Sequence, residues 1–147
     1  TAQETAEVQQ VMTADEIVQL QQMVRRVPIA PHVIHFALRL VRATRVEEDD
    51  VPELVREWVS WGAGPRGVQY LLLAGKARAV LEGRFFVTTD DIKAVAKPVL
   101  RHRVITNYSA ESSGITPDAV VERLLDELPD RRPGDEVAAS VKQALTG

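Results

Sequence analysis

The sequence predicts an all-α fold, a small bundle of about five main helices, and three observations carry the prediction. Of its residues 45% are hydrophobic but only 5% aromatic, an aliphatic balance that suits packed helices better than a β-sandwich. Apolar residues recur at helical spacing in successive segments. Helix-start residues (Thr13, Thr88, Thr116) and helix-stop residues (Pro28, Gly83, Pro129) bound those segments. With 147 residues the chain is long enough to bury one core.

Residues 1–12 are polar and glutamine-rich and read as a linker from a preceding domain, with a helical domain over 13–129 and a tail over 130–147. Thr13-Ala14-Asp15-Glu16 forms a capping box: the Thr hydroxyl and the Glu carboxylate satisfy backbone donors at a helix start. Ile17, Leu20, Val24 and Val27 then give one apolar face until Pro28. A second helix over about 31–45 carries Val33, Phe36, Ala37 and Leu40 on one side and Ile34, Leu38 and Val41 on another, so it is expected to be largely buried. Glu47-Glu48-Asp49-Asp50 reads as a solvated acidic loop. Residues 53–61 form a short helix leading to a glycine-rich turn.

The next helix, from Pro65 to about Glu82, is apolar nearly all round and is expected to be the most buried of the bundle. Proline favours the first helical position, and Gly83 supplies the stop. Phe85-Phe86-Val87 is a very short extended connector. Thr88 caps a further helix with Asp90 and Asp91 in its first turn, where the dipole favours acids, and Pro98 is expected to bend or break it. Residues 107–114 read as loop. Thr116-Pro117 opens a last helix with Val120, Val121, Leu124, Leu125 and Leu128 inward. In the tail, Val137, Val141 and Leu145 permit one weak helix.

Arg66 stands at the second position of the helix that begins at Pro65. A cation there faces the positive end of the helix dipole, a mismatch of roughly 0.3–1 kcal/mol when exposed. It is therefore placed for an anion. A helix start offers N–H groups that suit phosphate, and a guanidinium grips phosphate oxygens with two parallel hydrogen bonds. The helix alone fits a solvated surface arginine equally well.

Other chemistry is absent. Gly62 and Gly67 satisfy the glycine spacing of a P-loop, but Val68-Gln69 follow where Lys and Ser or Thr are needed. His32 and His35 lack the further ligands that zinc requires, and no metal site is assigned. No serine lies in a Gly-x-Ser-x-Gly elbow. The chain has no cysteine, which excludes disulfides and thiol nucleophiles and fits a cytoplasmic protein. Its net charge of −3 gives no general reason to bind nucleic acid, and no stretch approaches a membrane span.

Several motifs occur in a defined order: Leu40-Val41-Arg42-Ala43-Thr44-Arg45; Gly62-Ala63-Gly64-Pro65-Arg66-Gly67; Gly83-Arg84-Phe85-Phe86-Val87-Thr88-Thr89-Asp90-Asp91-Ile92; Leu100-Arg101-His102-Arg103; and Gly114-Ile115-Thr116-Pro117-Asp118. Together they make residues 13–129 resemble the C-terminal helical lid domain of MoxR-type AAA+ ATPases, where the patterns are Gly-Ala-Ser-Pro-Arg-Ala, Gly-Arg-x-Tyr-Val-Thr-Pro-Asp-Asp-Val and Leu-Arg-His-Arg. Gly64, Gly67 and Phe86 depart from them, and the two extra glycines are expected to loosen the helix start.

The resemblance implies that Arg66 is the sensor-2 arginine that reaches the terminal phosphate of ATP and acts in catalysis, with Gly64 and Pro65 beside the nucleotide. Phe36 stands where the family often has Tyr; it is a candidate adenine contact, with core packing the preferred reading. The resemblance further implies ATP and Mg2+ in a complete protein with Walker motifs upstream, and no catalysis by this fragment alone. Expected partners are that upstream AAA+ core, neighbouring subunits of a hexameric ring and a von Willebrand A domain protein. The expected role is chaperone-like remodelling or metal-cofactor insertion. A helical protein-interaction module, histone-fold-like and without a nucleotide role, is the alternative. Pro65-Arg66 discriminates between them, since a scaffold does not need it.

Overall fold

The computed structural model describes residues 9–49 and 51–129. Within them the order is α1 (Ala14–Arg26), α2 (Pro31–Ala43), α3 (Glu53–Trp58), β1 (Val59–Trp61), α4 (Pro65–Leu81), α5 (Thr89–Leu100), β2 (Ile105–Thr106), α6 (Tyr108–Ser112) and α7 (Pro117–Glu127). The bundle is helical, as the composition and periodicity predict. None of its described helices is long and apolar enough to cross a membrane.

The caps lie where the sequence puts them. Glu16 N–H donates to the Thr13 hydroxyl and Thr13 N–H donates to the Glu16 carboxylate at 2.7 Å, a reciprocal box. Thr88 and Asp91 make a second box, and Thr116 caps α7 through Ala119 N–H at 3.2 Å. Gly83 ends α4 at φ +71°, a left-handed conformation open to glycine at no steric cost.

The core sits where α2, α4, α5 and α7 meet. It contains Val33, Phe36, Leu40 and Val41 of α2, Leu71 of α4, Ile92 and Leu100 of α5, and Val120, Val121 and Leu124 of α7. The most buried helix is α2, not α4 as the sequence predicts: six of the thirteen residues of α2 are buried, against four of the seventeen of α4. The reason is the composition of the inward stripe of α4. It is Gly67, Leu71, Gly75 and Ala79, one residue per turn and mostly small, which lets the neighbouring helices approach closely, while Val68, Leu72 and Val80 beside it are only partly buried. At Gly75 a Cβ would lie 2.8 Å from Ile92 Cδ1, whereas Tyr70 and Leu81 are exposed. Burial of α2 is one-sided too, with Ile34 and Leu38 exposed.

Other differences are local. The predicted helix over 53–61 stops at Trp58, and Val59–Trp61 pairs antiparallel with Ile105–Thr106, a sheet of two short strands. Residues 107–114 contain the short helix α6, capped by the Asn107 side chain at 3.0 Å from Ala110 N–H. Pro98 does not break α5, which runs on to Leu100. The connector at 85–87 makes one parallel bridge, Val87 to Ile29. Helix α1 buries none of its residues, and its apolar face carries Ile17 at 45% and Leu20 at 40% exposure. In the acidic loop Glu48 takes ion pairs from Arg42 and Arg45. Asp50, residues 1–8 of the expected linker and the tail with its possible helix at 137–145 lie outside the described residues.

Candidate functional site

Arg66 is exposed at the start of α4. The first turn of that helix holds no acid, and its N-cap, Gly64, has no side chain with which to cap it. Among the described residues no ion pair or hydrogen bond engages the Arg66 guanidinium. Helix dipole and side chain together thus present positive charge to solvent, an arrangement that suits an anion.

The approach to this helix start is tightly built. Ser60 Oγ donates to the carbonyls of Ile105 and Thr106, tying β1 to β2. Asn107 N–H and side-chain amide donate to the carbonyls of Trp58 and Glu57. The chain then crosses the end of α2 so closely that a Cβ on Gly62 would lie 2.2 Å from the Thr44 carbonyl oxygen. Ala63 follows, 1% exposed. Gly67 is also buried: an added Cβ would lie 3.3 Å from Val41 Cγ2, 3.4 Å from Ala63 Cβ and 3.5 Å from Leu100 Cδ2. The expected loosening is therefore not seen at Gly67, because its small volume seats the first turn of α4 against α2 and α5. Gly64 is different, with open space around its Cβ position.

Phe36 does not join this site. Its ring is 1% exposed, packed in the core beneath the Lys93 ammonium at 5.5 Å from the centroid. Contact with adenine would require opening the core, so Phe36 is assigned to packing. Arg101 pairs with Asp118 at 3.0 Å, and the Arg103 guanidinium stacks on Tyr70 at 4.7 Å while donating to the Val99 carbonyl. Those contacts bind α5, α4 and α7 together. No cluster of three or more His, Asp or Glu residues placed to hold a metal ion occurs among the described residues.

The strongest ionic arrangement lies elsewhere, between α4 and α5. Asp91, 1% exposed, accepts from Arg84 at 2.6 and 2.8 Å and from Thr88 N–H at 2.8 Å, with Arg78 at 3.5 Å. The two-pronged Arg84 contact holds the Asp91 carboxyl down to about 2, against the opposing effect of burial, and the same contact raises the Arg84 pKa. Sequence reasoning assigns Asp91 to helix capping alone. Its pairing with Arg84 is visible only once the α4–α5 connection is folded.

Residues 52–124 match the family model described as the AAA lid domain. The chain is 29% identical over 119 residues to the Chaperone MoxR1 of Mycobacterium tuberculosis, covering 81% of this chain and 32% of that protein. It is 42% identical over 64 residues to the Protein MoxR of Methylorubrum extorquens, covering 42% of this chain and 19% of the other. This chain carries the AAA lid domain of the MoxR-type AAA+ family. The MoxR-type lid also superposes on the crystal structure of a candidate ATPase from Cytophaga hutchinsonii with a TM-score of 0.73 at 30% identity, covering 78% of this chain and 35% of that one. The lid thus spans a third or less of the curated MoxR proteins named here. In this MoxR-type lid the family match takes in Arg66, the turn before it and the Arg84–Asp91 pair, while α1 and α2 precede it.

Proposed function

We propose that this lid serves ATP hydrolysis in a complete AAA+ ATPase, and that Arg66 is the sensor-2 residue that meets the terminal phosphate. The observation that carries the reading is an exposed arginine, without an ionic partner among the described residues, at an acid-free helix start held by buried packing. The residues fit a phosphate and not a metal: they offer a guanidinium and a helix N-terminus, and no cluster of metal-binding carboxylates lies among the described residues. Bound ATP supplies the phosphoryl group that is transferred to water. Arg66 donates hydrogen bonds toward the oxygens on which charge develops, and the packed turn keeps that donor aimed without reorganisation. Gly64 and Pro65 shape the approach to it, since neither presents a bulky side chain above the helix start. Mg2+ and the Walker motifs belong to the core of the complete protein, where neighbouring subunits form a hexameric ring in the cytoplasm. The coupled work is chaperone-like remodelling or metal-cofactor insertion, with a von Willebrand A domain protein as partner; the name of the mycobacterial relative, Chaperone MoxR1, supports the chaperone-like role.

The experiment compares wild type, Arg66→Ala and Arg66→Lys in the complete protein. Loss of a charge-stabilising donor lowers kcat by roughly 10²–10³, and lysine rescues only in part because it keeps the charge without the two-pronged geometry. Melting temperature stays near wild type, since a surface arginine usually changes stability by within about 0.5 kcal/mol. Equal hydrolysis by all three proteins overturns the proposal and favours a helical interaction module.

A further inference from the structure

Two consecutive residues at the end of α2, Thr44 and Arg45, hold one residue of the turn before Arg66 by both its backbone polar groups. Ala63 N–H donates to the Thr44 hydroxyl at 2.9 Å, and the Ala63 carbonyl accepts from Arg45 Nε at 3.0 Å. Thr44 is 0% exposed. Its single hydroxyl proton goes to the Val41 carbonyl at 2.7 Å, so its lone pairs are turned toward Ala63, which uses the one donor and the acceptor capacity of a hydroxyl together. Arg45 is steadied in turn by Glu48 at 3.7 Å. Gly62 is the complement of this clamp, because only a residue without a Cβ lets the backbone lie so close to the Thr44 carbonyl.

The geometry points to Thr44 and Arg45 as positioning residues for Arg66, an inference that rests on the nucleotide-facing role of Arg66 proposed above. Ala63 is three residues before Arg66, and its methyl group lies 3.4 Å from where a Cβ on Gly67 would stand, in the first turn of α4. Any displacement of Ala63 is therefore passed to the turn from which Arg66 projects. Apolar packing alone would bury this segment but would let it slide; a buried residue whose own N–H and C=O are both bonded has one favourable placement, because leaving either group unpaired is costly. Phosphoryl transfer is sensitive to such placement, and a misplacement of about 1 Å can lower a rate about a hundredfold.

The test uses the complete ATPase and measures kcat, the KM for ATP and melting temperature for Thr44→Val, Thr44→Ser, Arg66→Ala and the double variant Thr44→Val with Arg66→Ala. Valine keeps the shape of Thr44 and leaves Ala63 N–H without its acceptor. Thr44→Val is expected to lower kcat at least about tenfold with a KM change within about threefold, and Thr44→Ser to restore most of the turnover. In the Arg66→Ala background, Thr44→Val is expected to lower kcat no further. A loss by the same factor in both backgrounds overturns the inference while leaving the role of Arg66 intact, as does a Thr44→Val enzyme with wild-type kcat. If Arg66→Ala itself turns over ATP like wild type, the proposed function fails first and the positioning role falls with it. Should Thr44→Val not fold, Arg45→Met, which keeps the aliphatic stem and removes the donor to the Ala63 carbonyl, takes its place in the same cycle with the same criteria.

Discussion

Replacing Asp91 by asparagine isolates the charge of the buried pair from its shape. The asparagine side-chain oxygen still accepts from Thr88 N–H, so the helix cap persists, while the two-pronged ionic contact with Arg84 and the approach of Arg78 lose their negative partner. Its magnitude follows from the lowered titration. Asp91 falls from an ordinary 3.8 to about 2 on folding, which at about 1.4 kcal/mol per pKa unit corresponds to about 2 kcal/mol of stability. Solvent screening does not reduce this much, because the carboxylate is 1% exposed. Folding lowers this pKa, so the contribution is fully present above the unfolded value of 3.8 and is lost as pH falls through the folded value of about 2. At about pH 3 roughly half of it remains. Urea unfolding of wild type and Asp91→Asn, followed by the helical circular dichroism signal, is expected to show a stability difference of about 2 kcal/mol at about pH 7 that narrows toward about 1 kcal/mol at about pH 3. A difference below about 0.5 kcal/mol at neutral pH, or one that does not change with pH, would refute the assignment of Asp91 as a stabilising ionised group.

Two glycines on either side of Ala63 are expected to respond oppositely in thermal melts. Gly62→Ala places a methyl group 2.2 Å from the Thr44 carbonyl oxygen, a clash with backbone that no rotamer relieves, and is expected to cost about 1–3 kcal/mol or more; Gly64→Ser meets open space at an N-cap and is expected to add a few tenths of a kcal/mol by capping. Leu124→Ala, at a site of 0% exposure in the α2–α5–α7 core, is expected to cost about 2–5 kcal/mol. Ile17→Ala, on the exposed face of α1, is expected to cost less than about 1 kcal/mol by the same measurement.

Helix ends were legible in the sequence because capping is local: Thr13 with Glu16, Thr88 with Asp91 and the left-handed Gly83 each act within a few residues. What stayed hidden depends on distant partners. Val59–Trp61 is too short for a period to show, and its pairing partner is Ile105–Thr106. The centrality of α2 over α4 is not legible in the sequence, because a helix apolar all round reads as central, whereas the contact stripe of α4 is mostly small residues. At the site, Arg66 and its helix start were readable from the proline and glycine that bracket the helix. The motif containing Thr44 and Arg45 is readable as well, but its purpose is not, since the residue it holds, Ala63, lies 19 and 18 residues further along the chain.

The two-stranded sheet also sets the order in which the molecule assembles. Ser60 and Ile105, bonded across it, are 45 residues apart in the chain, and closing so long a loop in an unstructured chain costs about 3 kcal/mol of entropy before any reward from so few strand bonds. Helices α4 and α5 are joined by a short connection and pack along each other, with Gly75 against Ile92 and Val87. Once that hairpin forms, the start of α4 and the end of α5 are brought together and most of the closure cost has been met. Strand pairing thus belongs late on the folding route, after the helical nucleus. By the same reasoning it is among the first contacts to open in native-state fluctuations, so amide exchange at Val59–Trp61 is expected to run ahead of that in the middle of α4. The turn that carries Arg66 need not open with the strands, since Thr44 and Arg45 bond it directly to the helical frame.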